Sequence, residues 1–480
     1  MWFSRRRLLS VRHSFHKLQT TRFNSSLTSD LFFPTTGRWP WNERRKRQEH
    51  TQKFDLRALE HVIIKAAGST AGITVRFEKL AEGASNKVFL AVVGERRLIV
   101  KIPDPVDPRC LVTASEVATL EFLRSELEVP VPKVFSWSDN SDNPVGCEYI
   151  IMEEAQGRAL NTVWSHLEIP EKLAIVDEVL SIQRRLVATK PMFSVYGSLY
   201  FLDDAAKLGF SRHFSVISTS TPTYCIGPLA HQHFIEPALT ASGVNCGPYL
   251  HFGNLFVSPE GKITCIVNWQ GTDILPLFLA VRMPQFIDVE RDALLLELPE
   301  NFSAMPEAKR LELWERYRQS MLQQYYLADL RKSAPDLAAV LEDEELSPIR
   351  KQVEVFARIP FRQDVEALLL RETLLRIQRH LSGFLRDGND AEQCPIKIEG
   401  DELTKHQKDG RRYNEFQDLL KARNIPVAEE GWVPSDEFTE RKDNLKSVIE
   451  ETVESLESEQ ERLEFNDRLR HWNLTDWETT

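Results

Sequence analysis

The chain has 480 residues, more than one typical domain, and 42% of them are apolar, ample for a sizeable core. A formal net charge of −11 excludes nonspecific nucleic-acid binding, which needs a basic face. The six cysteines (Cys110, Cys147, Cys225, Cys246, Cys265 and Cys394) are scattered without a C-x-x-C pair, which suits reduced, buried thiols rather than a zinc site or disulfide framework, and the longest strongly apolar run, 274–281, is far too short to span a bilayer.

Residues 1–29 hold Arg5, Arg6, Arg7, Arg12, Lys17 and Arg22 and no acid. Serines stand among them, with Trp2, Phe3, Leu8, Leu9 and Phe15 as the apolar part. That make-up is expected of a mitochondrial transit peptide, removed somewhere around Arg22 to Ser26; a disordered basic arm is the alternative. A connector, 30–53, follows and is rich in Pro and Arg between Pro34 and Arg47. Phe54 to Ala67 reads as an amphipathic helix, and strand-like runs follow at 73–80, 87–93 and 97–102. A helix is expected beyond Val112, with Thr113 as its N-cap and Val117, Leu120, Leu123 and Leu127 as its apolar positions. Two more strands are expected at 133–137 and 148–153. This order, ending near residue 155, is that of a kinase N-lobe starting at Phe54.

Helical periods dominate from Leu160 to about residue 400, at 171–187, 307–327 and 364–385. The last eighty residues, 401–480, are acidic, with 12 Lys and Arg against 21 Asp and Glu. Within them Pro434-Ser435-Asp436-Glu437 reads as the start of a helix with acids in its first turn. Leu445, Val448, Ile449, Val453, Leu456 and Leu463 form its apolar stripe, which is expected to pack on the C-lobe rather than on a separate partner.

Phosphoryl transfer needs held phosphates, a metal and a positioned nucleophile. Lys101 ends the third strand, where a lysine can reach nucleotide phosphates, and Glu116 on the next helix can pair with it. The turn Glu82-Gly83-Ala84-Ser85-Asn86 stands where a phosphate-covering loop belongs, yet one glycine is short of G-x-G-x-x-G, and an ordinary hairpin turn explains it equally. Residues 247–270, GPYLHFGNLFVSPEGKITCIVNWQ, have the outline of a catalytic segment: Asn254 closes a loop before an apolar strand, and a second strand ends at Asn268-Trp269-Gln270.

LAEGASNKVFLAV, VKIPDP, TASEVATLEFLR, VPVPKVFSWSDNSDNPVGCEYIIME, YGSLYF, ITCIVNWQGTDILPLFLAVRMPQFID and GWVPSDEF closely resemble a fungal family of aminoglycoside-phosphotransferase-like proteins, from about Phe54 almost to the C-terminus. The resemblance implies a bilobal, protein-kinase-like α+β fold, with a small β-rich N-lobe and a helical C-lobe. ATP and Mg²⁺ are the expected cofactors, held weakly or not at all, with Gly83, Ser85, Asn86, Lys101 and Glu116 as the candidate nucleotide-binding residues and a small molecule or a protein as partner. The resemblance also agrees with a mitochondrial destination.

The family pattern reads roughly H-P-D-L-H-x-x-N, then I-D-W-Q. This chain keeps His251, Asn254, Trp269 and Gln270, but Tyr249 stands at the place of the catalytic Asp and Asn268 at that of the metal-binding Asp. Asp273, five residues on, is a candidate stand-in. Gly247-Pro248-Tyr249 also resembles a G-P-W element that in the family lies well upstream, as though the segment bearing the Asp were absent here. Three readings stay open: a degenerate kinase that binds or scaffolds, an ATP-binding regulator, and an active small-molecule phosphotransferase whose base-bearing segment this sequence lacks.

Overall fold

A computed structural model describes residues 29–471, apart from breaks at 41–42, 70–72, 83–85, 106–110, 188–194, 208–214, 218–222, 231–243, 247–251, 290–292, 344–345, 347–363, 385–395, 423–432 and 457. Nearly all of the expected presequence, together with Gly83, Ser85, Tyr249 and His251, lies outside the described residues.

The N-terminal lobe is built on an antiparallel sheet of β2 (Val75–Glu82), β3 (Asn86–Val93), β4 (Arg96–Pro103), β5 (Val134–Ser138) and β6 (Tyr149–Glu153), in the order β2-β3-β4-β6-β5. Side chains alternate between the faces of a strand, and β4 uses both faces. Leu98, Val100 and Ile102 pack with Phe77, Phe89, Leu59 and Ile63 beneath α3 (Leu56–Ala66), whose first turn is capped by the Asp55 carboxylate accepting from Ala58 N–H at 2.9 Å. Ile99, on the opposite face, packs with Val117, Ile150 and Met152 against α4 (Leu111–Ser125).

Helix α4 is buried on every side, with all residues from Leu111 to Leu120 buried and Phe122 and Leu123 after them. Thr113, expected as its cap, lies inside it, and its hydroxyl donates to Glu148 Oε2 at 2.7 Å. The face of α4 turned from the first sheet is covered by a second one. Strands β8 (Gly197–Phe201), β9 (Ser215–Ile217), β10 (Tyr224–Gly227), β11 (Val244–Cys246) and β14 (Asp273–Leu275) run antiparallel in the order β11-β14-β8-β10-β9. Phe122 of α4 packs there with Leu199, Tyr224, Ile226 and Ile274. This sheet was not legible in the sequence, because strands of three to five residues show too few alternations.

The helix-rich C-terminal lobe has a core of α5 (Leu160–Val163), α6 (Ile169–Val187) and α9 (Glu307–Ser333) around a small sheet of β7 (Arg158–Ala159), β12 (Leu255–Val257) and β13 (Ile263–Ile266). Gly157 makes that sheet's entry possible: its φ is 96°, and a Cβ there would stand 2.5 Å from the Val257 carbonyl oxygen. Short helices α7 (Leu202–Lys207), α8 (Leu277–Ala280) and α10 (Pro335–Glu342) and the longer α11 (Asp364–Phe384) and α12 (Gly400–Ala422) complete the lobe. Cys147 and Cys265 are buried free thiols that burial pushes up to about 12, and the same cause takes Cys225 to about 11.

Residues 30–53, read as a connector, form α1 (Ser29–Phe32), β1 (Gly37–Arg38) and α2 (Glu43–Glu49) along the N-lobe. The Glu82 carboxylate accepts from the backbone N–H and hydroxyl groups of Thr35 and Thr36. Lys87 on β3 pairs with Asp104 and donates to the His50 carbonyl at 2.7 Å, and His50 Nδ1 lies 3.1 Å from the second Asp104 oxygen. All three are buried, and Trp39 stacks on the His50 ring at 4.9 Å. In the acidic extension, β15 (Val433–Pro434) pairs with β1, and the Arg38 guanidinium sits 3.6 Å from the Phe438 ring centre. The apolar stripe expected on one helix is split: α13 (Phe438–Ser455) buries Leu445, Val448 and Ile449, whereas Leu463 is exposed on α14 (Glu459–His471).

Candidate functional site

Lys101 shares the parity of Ile99, so the pleat of β4 aims it at α4 rather than into the α3 core. There Glu116 meets it: Lys101 Nζ donates to Glu116 Oε1 at 2.7 Å and to Oε2 at 2.6 Å. Both side chains are almost wholly buried, 6% and 4% exposed. A buried pair is a cost unless its geometry is held, and here α4 is held between two sheets.

Asn86 starts β3, and its amide donates to Gln270 Oε1 at 2.5 Å, joining the start of β3 to the segment after β13. The Asn86 carbonyl oxygen is buried without a donor. Asn254 is buried at the end of a single 3₁₀ turn, Phe252–Asn254, and its carbonyl accepts the Val267 N–H at 2.9 Å, which ties that turn to the end of β13. Asn268 is exposed with φ 66°, a left-handed backbone that asparagine and aspartate tolerate better than most residues. The next residue anchors the segment: Trp269 is buried, and its indole N–H donates to the Ile266 carbonyl at 2.9 Å. Lys101 and Glu116 therefore meet as the sequence suggested, and Asn86 reaches the Asn268–Gln270 segment. Gln270 had only a motif position to recommend it, and no local signal marked it as the partner of Asn86.

Asp273 occupies a different environment. It lies on β14 between β8 and β11, and its Oδ1 accepts from the Ser198 hydroxyl, which itself accepts the Ala230 N–H at 2.6 Å. Burial pushes its carboxyl up to about 7, with the Ser198 hydrogen bond opposing. Buried on β14 and already engaged by the Ser198 hydroxyl, this carboxyl is poorly placed to meet a hard cation. Asn268 brings an amide dipole where Mg²⁺ favours carboxylate charge, and the retained Asn254 adds only another amide, so these residues do not fit a tightly held Mg²⁺. Among the described residues no group of three or more His, Cys, Asp or Glu could hold a metal ion, and no helix is long and apolar enough to cross a membrane.

Residues 76–206, which span the first sheet, α4 and β8, match the phosphotransferase enzyme family. Over that stretch the chain is similar to phosphotransferases. The matched stretch includes Asn86, Lys101 and Glu116 and ends upstream of Asn254 and Asn268. The chain is 25% identical to a subtelomeric hrmA-associated cluster protein of Aspergillus fumigatus, over 83% of this chain and 96% of that one. It is 28% identical to altered inheritance of mitochondria protein 9, mitochondrial, of Yarrowia lipolytica, over 46% of this chain and 42% of that protein. The counterpart of that protein in Kluyveromyces lactis is 22% identical, over 77% and 74%. The Aspergillus alignment has 503 positions but draws on 83% of 480 residues, about 398, so about 100 positions have no residue of this chain opposite them. Among solved structures, a thermostable mutant of an aminoglycoside phosphotransferase in ternary complex with ADP and hygromycin B is 13% identical, over 70% of this chain and all of that one, with a TM-score of 0.33. The matched stretch begins in a β-rich lobe that is followed by a helix-rich one, the bilobal kinase-like α+β arrangement.

Proposed function

We propose that this phosphotransferase-domain protein is a degenerate mitochondrial kinase that binds a nucleotide beside Lys101 and acts by binding or scaffolding rather than by phosphoryl transfer. One observation carries the reading: the buried Lys101–Glu116 pair is intact, while Tyr249 stands at the place of the catalytic Asp and the position that should bring metal-binding charge holds Asn268. Loss of a general base lowers a rate by about 10²–10⁴, and weakened metal stabilisation removes several kcal/mol more. Lys101 supplies a fixed cation for phosphates, and Asn86 at the start of β3 is hydrogen-bonded to Gln270. The acid-free basic start and the mitochondrial names of the relatives support the location.

Millimolar ATP is expected to raise the unfolding midpoint of the full chain, since a ligand of the native state stabilises it. Lys101→Ala should abolish that rise. Asn268→Asp, whose backbone at φ 66° suits aspartate, should make the rise larger with Mg²⁺ than without. Absence of any rise would remove the nucleotide from the proposal, and turnover of a small-molecule substrate at ordinary kinase rates would remove the rest.

A second reading has its own support. The roughly 100 alignment positions unmatched by this chain favour an active phosphotransferase in a longer form that restores the segment ahead of Asn254.

A further inference from the structure

Away from Lys101, the helix-rich lobe contains a cavity of about 210 Å³ between the Phe252–Asn254 turn, α6 and α9. Three rings form its apolar wall. Trp164 stands edge-on to Phe252 and Phe286 at centroid distances of 5.6 and 5.2 Å, and Phe252 and Phe286 are 5.8 Å apart. Two cations face this wall. Lys172 is buried, with its ammonium 5.1 Å from the Trp164 ring centre. Arg318 contributes a buried Nε that has no hydrogen-bond partner.

The carboxylates nearby do not satisfy these cations. Glu315 lies 3.8 Å from Lys172 Nζ and 4.0 Å from the Arg318 guanidinium, and Glu168 lies 3.6 Å from Arg318, all beyond good hydrogen-bond length. Both acids are largely exposed, so solvent screens what they contribute. Burial lowers the Lys172 pKa, with Glu315 opposing and Arg318 reinforcing. A desolvated ammonium and an unpaired guanidinium N–H over an aromatic wall are the complement of an anion with a flat apolar body. Size sets the scale, since an apolar cavity of about 150 Å³ holds benzene.

We propose that this cavity binds a small organic anion of one-ring size, its charged end on Lys172 and Arg318 and its apolar body against Trp164, Phe252 and Phe286. Phe252 belongs to the turn that carries Asn254, so an occupant also buttresses that turn. The proposal is independent of nucleotide binding, and its test needs none.

The full chain is titrated with benzoate, phenyl phosphate, inorganic phosphate and benzyl alcohol, reading heat of binding and unfolding midpoint. Benzoate or phenyl phosphate should bind and raise the midpoint, while inorganic phosphate and benzyl alcohol should do so at least tenfold less well. The stronger of the first two identifies carboxylate or phosphate as the preferred charged end. Arg318→Gln and Lys172→Met should each weaken binding about tenfold or more. Lys172→Met should also raise the midpoint of the unliganded protein, because it removes a buried charge without a close partner. Equal binding of benzyl alcohol and benzoate would overturn the proposal, as would affinity unchanged in both variants, or no binding of either ring-bearing anion.

Discussion

Asp273 carries a carboxyl group that β14 buries beneath the Ser198 hydroxyl, and its surroundings favour the neutral form. Its ordinary value of 3.8 is raised to about 7, so between these values the folded state keeps a proton that the unfolded state has lost. Stability from this group is therefore full below the unfolded value and falls as pH rises towards 7, by at most about 1.4 kcal/mol per pH unit. Asp273→Asn lacks the titration but keeps an acceptor for Ser198. Urea denaturation between pH 5 and 8 should show the parent losing stability relative to the variant as pH rises. Millimolar Mg²⁺ should leave the difference unchanged. Parallel profiles would refute the burial argument, and a Mg²⁺-dependent gain in the parent would restore Asp273 as a metal ligand.

At the scale of elements, the strap of α1, β1 and α2 behaves as part of the N-lobe, because its contacts are buried charge rather than surface decoration. Asp104 stands between Lys87 and His50, and removing it would leave the Lys87 ammonium buried without its counter-ion. Loss of one partner of a buried pair costs about 3–5 kcal/mol. A truncation series can separate this role from that of the preceding basic residues. A chain beginning at Ser29 should unfold at the same urea concentration as the full chain yet fail to enter isolated mitochondria, which the full chain should enter. A chain beginning at Phe54, or full-length Asp104→Ala, should unfold at a clearly lower concentration. Import of the Ser29 form would refute the targeting role, and a Phe54 form as stable as the parent would refute the strap.

At the scale of the whole molecule, the helix-rich lobe shows apolar surface along α9. Leu311, Trp314, Met321 and Tyr325 recur at helical spacing along α9 and are exposed, with Leu296 nearby. Relatives contribute about 100 aligned positions that this chain lacks, and Gly247-Pro248-Tyr249 resembles an upstream element joined to the end of the catalytic loop. Transcript sequencing should reveal further coding sequence between Pro248 and His251. The longer protein should expose less apolar surface to a hydrophobic dye and still bind Mg²⁺-ATP weakly until Asn268→Asp is added, because Asn268 lies outside the join. A transcript identical to the present sequence would defeat this prediction.

Local pattern alone determined much of this protein. Alternation identified β2 to β6 to within two or three residues, and the 3.6-residue period identified α3, α6, α9 and α11, since both signals arise within a few consecutive side chains. The Lys101–Glu116 pair was legible for the same reason, as strand parity and the following helix bring the two together. Tertiary structure alone decided the rest. The second sheet pairs strands scattered from residue 197 to 275, each too short to register as a period. The strap is held by hydrogen bonds at His50 reaching across 37 and 54 positions, and the Asn86–Gln270 hydrogen bond spans 184. The charge on Asp273 follows from burial by neighbours in space, and the cavity at Lys172 from side chains of four separate segments. No residue announces such environments in its own sequence, because desolvation and unmet hydrogen bonds belong to the packed chain.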